Sequence, residues 1–189
     1  YQTMMADVFP FIRDLNGTSG TYAKYMADAI FKVPTPQLLE KIVTALDEMY
    51  TGIDKLPDKQ DARGDLYEYM LSKLSTAGTN GQFRTPRHII RMMVELLDLQ
   101  SGDTICDPAC GTSGFLVSAA EYLKEHYLEE IFYDKALKAH YDSAMFTGYD
   151  MDRTMLRIGA MNMMTHGIAN PKIEYKDSLS DQNTDTDKY

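Results

Sequence analysis

A chain of 189 residues, 44% apolar and 25% charged, is long enough for one ordinary domain plus an accessory region and apolar enough to bury a core. No run approaches the ~18 consecutive apolar residues of a membrane helix, and residues 1–6 carry no basic stretch followed by an apolar one, so neither a membrane span nor a signal peptide is expected. The net charge of −9 argues against a piece that grips nucleic acid unaided, because such surfaces are basic; another segment or a partner would supply the cations.

In chain order, apolar residues at helical spacing predict a helix over 22–31. Thr35-Pro36 reads as an N-cap followed by proline at the first helical position. Leu38, Leu39, Ile42, Val43, Leu46, Met49 and Tyr50 then keep the helical period, with Gly52 as the stop. Residues 54–63 read as a polar connector, and Leu66, Tyr67, Met70, Leu71 and Leu74 mark a further helix. A loop rich in Gly, Thr and Asn spans 75–81.

Beyond that loop the character changes. Thr85-Pro86 repeats the cap signal, and Ile89, Ile90, Met93, Val94 and Leu97 line a helix face. Residues 103–106 form a short strand, 115–127 a helix, 128–143 another helix and 144–149 a second strand. A Met-rich helix over 151–166, read as core packing and ended by Gly167, leads to a third strand over 172–175. Strands alternating with helices predict an α/β fold, a mainly parallel sheet with helices on its faces. A helical N-terminal region over 1–80 and an α/β region over 81–189 are expected.

The cysteines, Cys106 and Cys110, are too few for a secreted disulfide framework, and their spacing without a nearby His is not a zinc pattern. Both are read as reduced thiols of a cytoplasmic protein. His88, His126, His140 and His166 have no spacing that suggests a triad or a metal, so no metal site is expected. A first residue of Tyr rather than Met suggests an excised or processed piece.

The stretch most informative about chemistry is Asp107-Pro108-Ala109-Cys110-Gly111-Thr112-Ser113-Gly114-Phe115, which leaves a strand, turns and enters a helix. Gly111 and Gly114 let the backbone approach a ligand. The next helix presents free N–H groups at its start, and Asp107 suits an ammonium group. Taken alone, this is also what an ordinary strand-to-helix turn looks like, and the G-x-G-x-x-G dinucleotide pattern is absent. Gly148-Tyr149-Asp150 ends the next strand with a carboxylate placed to accept ribose hydroxyls, and Asp152 is read as lying inside the following helix. Asp177, past the third strand, is placed to accept from an adenine amino group. All three lie where open α/β sheets bind ligands, outside the carboxyl ends of the strands. Together they describe a site for an adenosine bearing an amino-acid tail.

Asp107–Phe115 resembles the first motif of the N6-adenine DNA methyltransferases, D-P-x-x-G-(S/T)-G-x-(F/L). Gly81-Gln82-Phe83-Arg84-Thr85-Pro86-Arg87 resembles the G-Q-(F/Y)-x-T-P segment of type I modification subunits. Asp65-Leu66-Tyr67-Glu68-Tyr69-Met70-Leu71, Gly148-Tyr149-Asp150 and Asn162-Met163-Met164-Thr165-His166-Gly167 resemble further stretches of the same family, in the same order. The resemblance implies a helical N-terminal region and the first half of a Rossmann-like methyltransferase domain. It implies S-adenosylmethionine as cofactor, held by Gln82, Phe83, Arg84, Thr85, Pro86, Arg87, Asp107, Ala109, Cys110, Gly111, Thr112, Ser113, Gly114, Asp150 and Asp177. The segment around Thr85-Pro86 closes over the methionine part in that family. Asp150 replaces a commoner Glu, which shortens its reach, and Arg84 stands where an aromatic is frequent.

The family's catalytic tetrapeptide, N-P-P-(F/Y), which binds the flipped adenine, does not occur in the sequence. Asn170-Pro171 reads as a turn, and the tetrapeptide is expected beyond Tyr189. The implied activity is methyl transfer to N6 of adenine in DNA, with specificity and restriction subunits as partners. The alternatives are a non-catalytic assembly module with a vestigial nucleotide site, and a methyltransferase acting on protein or RNA.

Overall fold

The computed structural model describes residues 1–13, 21–56, 59–76 and 85–183. The chain divides into two compact units, residues 1–62 and 63–189.

In the first unit a π-helical segment, Met4–Val8, runs into α1, Phe9–Arg13. Helix α2, Thr21–Met26, is shorter than the spacing predicts. Its continuation heads into Val33-Pro34-Thr35-Pro36, and a residue before proline is pushed out of the helical region. Phe31 packs its ring against Tyr1 and Phe9 instead, at centroid distances of 5.9 and 5.6 Å, and the Tyr1 hydroxyl donates to the Val33 carbonyl at 2.6 Å. Helix α3, Pro36–Ile53, begins as the sequence predicts: extended Thr35 accepts the Leu38 N–H at 3.2 Å and Pro36 opens the first turn. Gly52 does not stop it. A helical glycine costs about 1 kcal/mol, and the helix runs one residue further and buries Ile53 before Asp54 closes it. Of the stripe that predicts α3, Leu38, Ile42, Val43, Met49 and Tyr50 are exposed and Leu39 and Leu46 half-buried.

Helix α4, Lys59–Thr76, takes over part of the expected polar connector. Its first turns carry no apolar stripe, so the pattern hides them. Helix α5, Arg87–Leu97, buries Ile90 and Val94 but exposes Met93 and Leu97, which were expected on the same buried face. Strand β1, Ile105–Asp107, starts later than expected because the Asp103 carboxylate closes a turn on the Gln100 N–H at 2.8 Å. Helix α6 runs from Gly114 to Tyr133, through a kink at Tyr127, past its expected end. Asp134 then accepts the N–H groups of Ala136 and Leu137 and starts α7, Lys135–Ser143. Strand β2, Phe146–Asp150, helix α8, Arg153–Thr165, and strand β3, Lys172–Tyr175, complete the second unit. Gly167, at φ +93°, ends α8: its N–H and that of Ile168 donate to Met164 and Met163 at 3.1 Å.

The sheet has the order β1-β2-β3 and is parallel throughout. Asp107 stands opposite Gly148, and Asp150 opposite Tyr175, so the carboxyl ends share one edge. Leu116, Leu123 and Ile131 of α6, Phe146 of β2, Met155 and Met163 of α8 and Ile173 of β3 form the core. Among the described residues no helix is long and apolar enough to cross a membrane.

Candidate functional site

The turn after β1 is built by its own first residue. The Asp107 carboxylate accepts the Ala109 N–H at 3.0 Å and bends the chain at Pro108. The Cys110 N–H donates to the Tyr149 carbonyl at 2.9 Å, which fastens the turn to β2. Gly111 and Ser113 then adopt φ of +52° and +61°, left-handed values that glycine takes freely and serine at a cost. A Cβ on Gly111 would meet nothing within 4 Å, so that side of the turn is open. Ser113 is fully buried at the start of α6 and gives no side-chain cap. The helix therefore begins with backbone N–H groups that no side chain caps.

Asp150, at the end of β2, faces this turn. One carboxylate oxygen accepts the Gly111 N–H at 3.0 Å, and the other accepts the Asp152 N–H at 2.7 Å. Asp152 lies before α8 rather than inside it: it is the N-cap and accepts from Thr154 at 2.7 Å and Met155 at 3.4 Å. Asp177 follows β3, is exposed, and accepts the Leu179 N–H at 3.0 Å. Its neighbour Ser178 donates to the Pro108 carbonyl at 2.6 Å, which joins this loop to the turn after β1.

The structure thus gathers Asp107, Ala109 to Gly114 and Asp150, with the Asp177 loop tied alongside. Thr85, Pro86 and Arg87 sit at the start of α5, where the second cap signal fails. Pro86 itself holds the N-cap position and its carbonyl accepts from Ile89 and Ile90, which leaves Thr85 one residue too early to cap. The Arg87 guanidinium reaches Asp65 at 3.5 Å and Glu121 at 3.4 Å. These residues, with Glu68, Tyr69 and Gly114, line a cavity of about 690 Å³. Gln82, Phe83 and Arg84 lie outside the described residues.

Burial pushes the Asp107 carboxyl above its ordinary value; the Ala109 N–H opposes this and the Asp150 charge adds to it. Burial, then the Asp107 charge, pushes the Cys110 thiol up to about 12, so it stays protonated. Neither Cys106 nor Cys110 forms a disulfide. Among the described residues no group of three or more His, Cys, Asp or Glu is placed to hold a metal.

Three residues outside the turn also shape it, and of these Gly159 lies in no stretch that resembles the family. A Cβ on Gly159 of α8 would come within 2.5 Å of Ser113 Oγ and 3.0 Å of the Gly111 carbonyl. A Cβ on Gly148 would come within 2.9 Å of Cys110 Sγ and of Ile173. Asn162 of α8 donates to the Thr112 carbonyl at 2.9 Å and to Glu68 of α4 at 2.5 Å. Gly148 and Asn162 lie in stretches that resemble the family, and Asn162 is a polar residue amid the apolar run of α8, but neither signal indicates these contacts.

Sheet order and turn together make the second unit the first part of a Rossmann-like methyltransferase domain. A crystal structure of a modification subunit assigned to a type I restriction enzyme of Vibrio vulnificus YJ016 matches with a TM-score of 0.70 and 26% identity, over 91% of this chain and 35% of that one. The N-6 DNA Methylase family matches residues 58–189, and the chain belongs to that family. The EcoEI methylase subunit of Escherichia coli is 29% identical over 92% of this chain and 35% of its own length. The EcoKI methylase subunit of Escherichia coli K12 is 28% identical over 84% and 31%. The chain spans about a third of the length of these curated relatives.

Proposed function

We propose that this chain is the front part of the modification subunit of a type I restriction-modification system, a cytoplasmic enzyme that methylates N6 of adenine in DNA. Family membership supports the reaction class. The observation that carries the reading is the Asp150 carboxylate fixed on the Gly111 N–H beside Asp107, with the outer side of Gly111 open.

These residues fit S-adenosylmethionine, whose sulfonium supplies an electrophilic methyl group when bound. The Asp107 carboxylate suits its ammonium, and the N–H groups at the start of α6, which no side chain caps, suit its carboxylate. Each oxygen of Asp150 accepts one backbone N–H and keeps a lone pair for a ribose hydroxyl. Asp177 is assigned to the adenine end, and Gln82 to Arg87 to the methionine end.

The adenine amino group is a poor nucleophile, since its lone pair is delocalised into the ring. Acceptors must be aimed at its protons, and the base must leave the duplex first. In the family that the sequence resembles, N-P-P-F or N-P-P-Y fills that role; the tetrapeptide does not occur in residues 1–189. DNA, a specificity subunit and a restriction subunit are the proposed partners, which accords with a net charge of −9. Calorimetry with S-adenosylmethionine or S-adenosylhomocysteine should show binding. Binding of NAD with no response to either methionine compound would overturn the reading.

A further inference from the structure

Glu68, Asn162 and Thr112 form a chain of contacts from α4 through α8 to the turn. Glu68 is 7% exposed and Asn162 is fully buried. The Asn162 side-chain NH2 has two protons and meets two acceptors, the Thr112 carbonyl and a Glu68 oxygen. The reversed amide would set its oxygen against both, so the two acceptors fix its orientation. A buried position kept only to fill space favours an apolar side chain, because burying an amide has a desolvation cost. The two donors are therefore what this position supplies.

What they hold is one peptide plane. The Thr112 carbonyl and the Ser113 N–H share it; Asn162 holds the first and the Cys110 carbonyl accepts the second at 2.7 Å. This plane joins Thr112 to Ser113 at the start of α6, in a segment flanked by the left-handed Gly111 and Ser113. Its tilt sets where the N–H groups on either side point. Tyr67 of α4 also donates to the Ile158 carbonyl of α8, at 3.3 Å, and the His166 ring lies where a side chain on Gly64 would stand, so α4 is seated on α8 at three places.

We infer that Glu68 and Asn162 are positioning residues for the cofactor turn: Glu68 holds the Asn162 amide, and Asn162 holds the Thr112–Ser113 peptide so that the turn's N–H groups face the ligand. The inference rests on the S-adenosylmethionine reading for the ligand's identity. The positioning itself is read without any ligand.

The test uses the 189-residue chain, labelled with 15N, and two variants. In Glu68→Gln the amide carbonyl still accepts from Asn162. In Glu68→Leu with Asn162→Leu both partners become apolar at similar size, a change that is close to neutral for stability, while Thr112 loses its anchor. The Gly111 and Ser113 amide resonances should stay in place in Glu68→Gln and shift in the leucine pair. Affinity for S-adenosylhomocysteine should stay within about twofold in the first and fall by about tenfold or more in the second. Should the leucine pair not melt cooperatively, Asn162→Asp with Glu68→Gln takes its place. The glutamine amide introduced on α4 then donates to the new carboxylate on α8. The link between helices returns with donor and acceptor exchanged, and only Thr112 is left without its donor. The same shifts and the same loss of affinity are expected. Unmoved Gly111 and Ser113 resonances in a folded variant, or wild-type affinity there, overturn the inference. Shifted resonances in a chain whose wild type ignores S-adenosylhomocysteine uphold the positioning and refute the methyl-donor reading alone.

Discussion

The turn after β1 and the turn after β2 leave the same edge of one sheet and enter helices by opposite means. The second is closed on itself: Asp150 takes the Asp152 N–H, and Asp152 takes those of Thr154 and Met155. The first opens with its own Asp107 on the Ala109 N–H, but the rest of it is held from outside. Gly111 is fixed by Asp150, Thr112 by Asn162 and Pro108 by Ser178, while α6 starts without a side-chain cap. A helix start that caps itself has little left to offer a ligand. One shaped by neighbours keeps its N–H groups for something else, and its geometry is only as good as those neighbours.

The comparison breaks most severely at Gly159. In Gly159→Ala the new methyl meets Ser113 Oγ and the Gly111 carbonyl, which must move apart. Overpacking of this kind costs about 1–3 kcal/mol. Affinity for S-adenosylhomocysteine should fall by about a hundredfold, the equivalent of the upper figure, as read by calorimetry alongside a thermal melt. A melt and an affinity both at wild-type values would show the first turn to be less constrained than its contacts imply.

Asp150→Ala cuts a side chain that serves both turns. Charge-assisted hydrogen bonds of about 1.5–3 kcal/mol are lost, so affinity should drop about tenfold to a hundredfold. Unchanged affinity in a folded variant would place the ribose elsewhere.

Asp107 gives a dependence on pH. Its folded pKa is raised, chiefly by burial. An ammonium partner needs the ionised form, so affinity should decline on acidification from a higher pH than an ordinary aspartate would give, by about tenfold per pH unit below the raised value. Asp107→Asn should bind weakly at every pH. Stability runs the other way. A raised pKa means that the folded chain holds the proton more tightly. This group's contribution is therefore full below the ordinary value and is lost as pH rises through the folded one. A pH series of binding isotherms and melts reads both signs.

Asp152→Ala sharpens the contrast with the smallest effect. Losing an N-cap costs about 1 kcal/mol of stability. Affinity should stay at wild type, because the residue serves its own helix. A change in affinity larger than the change in stability would make Asp152 part of the site.

The local geometry of the candidate site was legible where one residue type at one place suffices. The glycine turn, the acid ending β2 and the Thr35 cap all follow from short-range patterns, as does β3, whose bounds match. Thr85 copied the Thr35 signal and did not cap, because helix α5 starts one residue later than the pattern implies. The early turns of α4 escaped notice for want of an apolar stripe. Asp152 looked helical because its N-cap geometry, at φ −93° and ψ 113°, leaves no mark on periodicity. Least legible were contacts between distant residues. Glu68 and Asn162 are 94 apart in the chain, and Gly159 matters only through atoms of Ser113 and Gly111. No local pattern encodes such pairs.

The order β1-β2-β3 bears on synthesis as well as on binding. Each strand pairs with the one made just before it, in parallel register. Such a sheet grows in the direction of translation, and chains generally fold N-terminal part first as they emerge. The link from Asp150 to Gly111 needs nothing beyond β2, and Asn162 and Ser178 follow soon after it. The ribosome therefore releases the pieces of this turn in chain order: first the loop, then the carboxylate that accepts the Gly111 N–H, then the amide on the Thr112 carbonyl, then the hydroxyl on the Pro108 carbonyl.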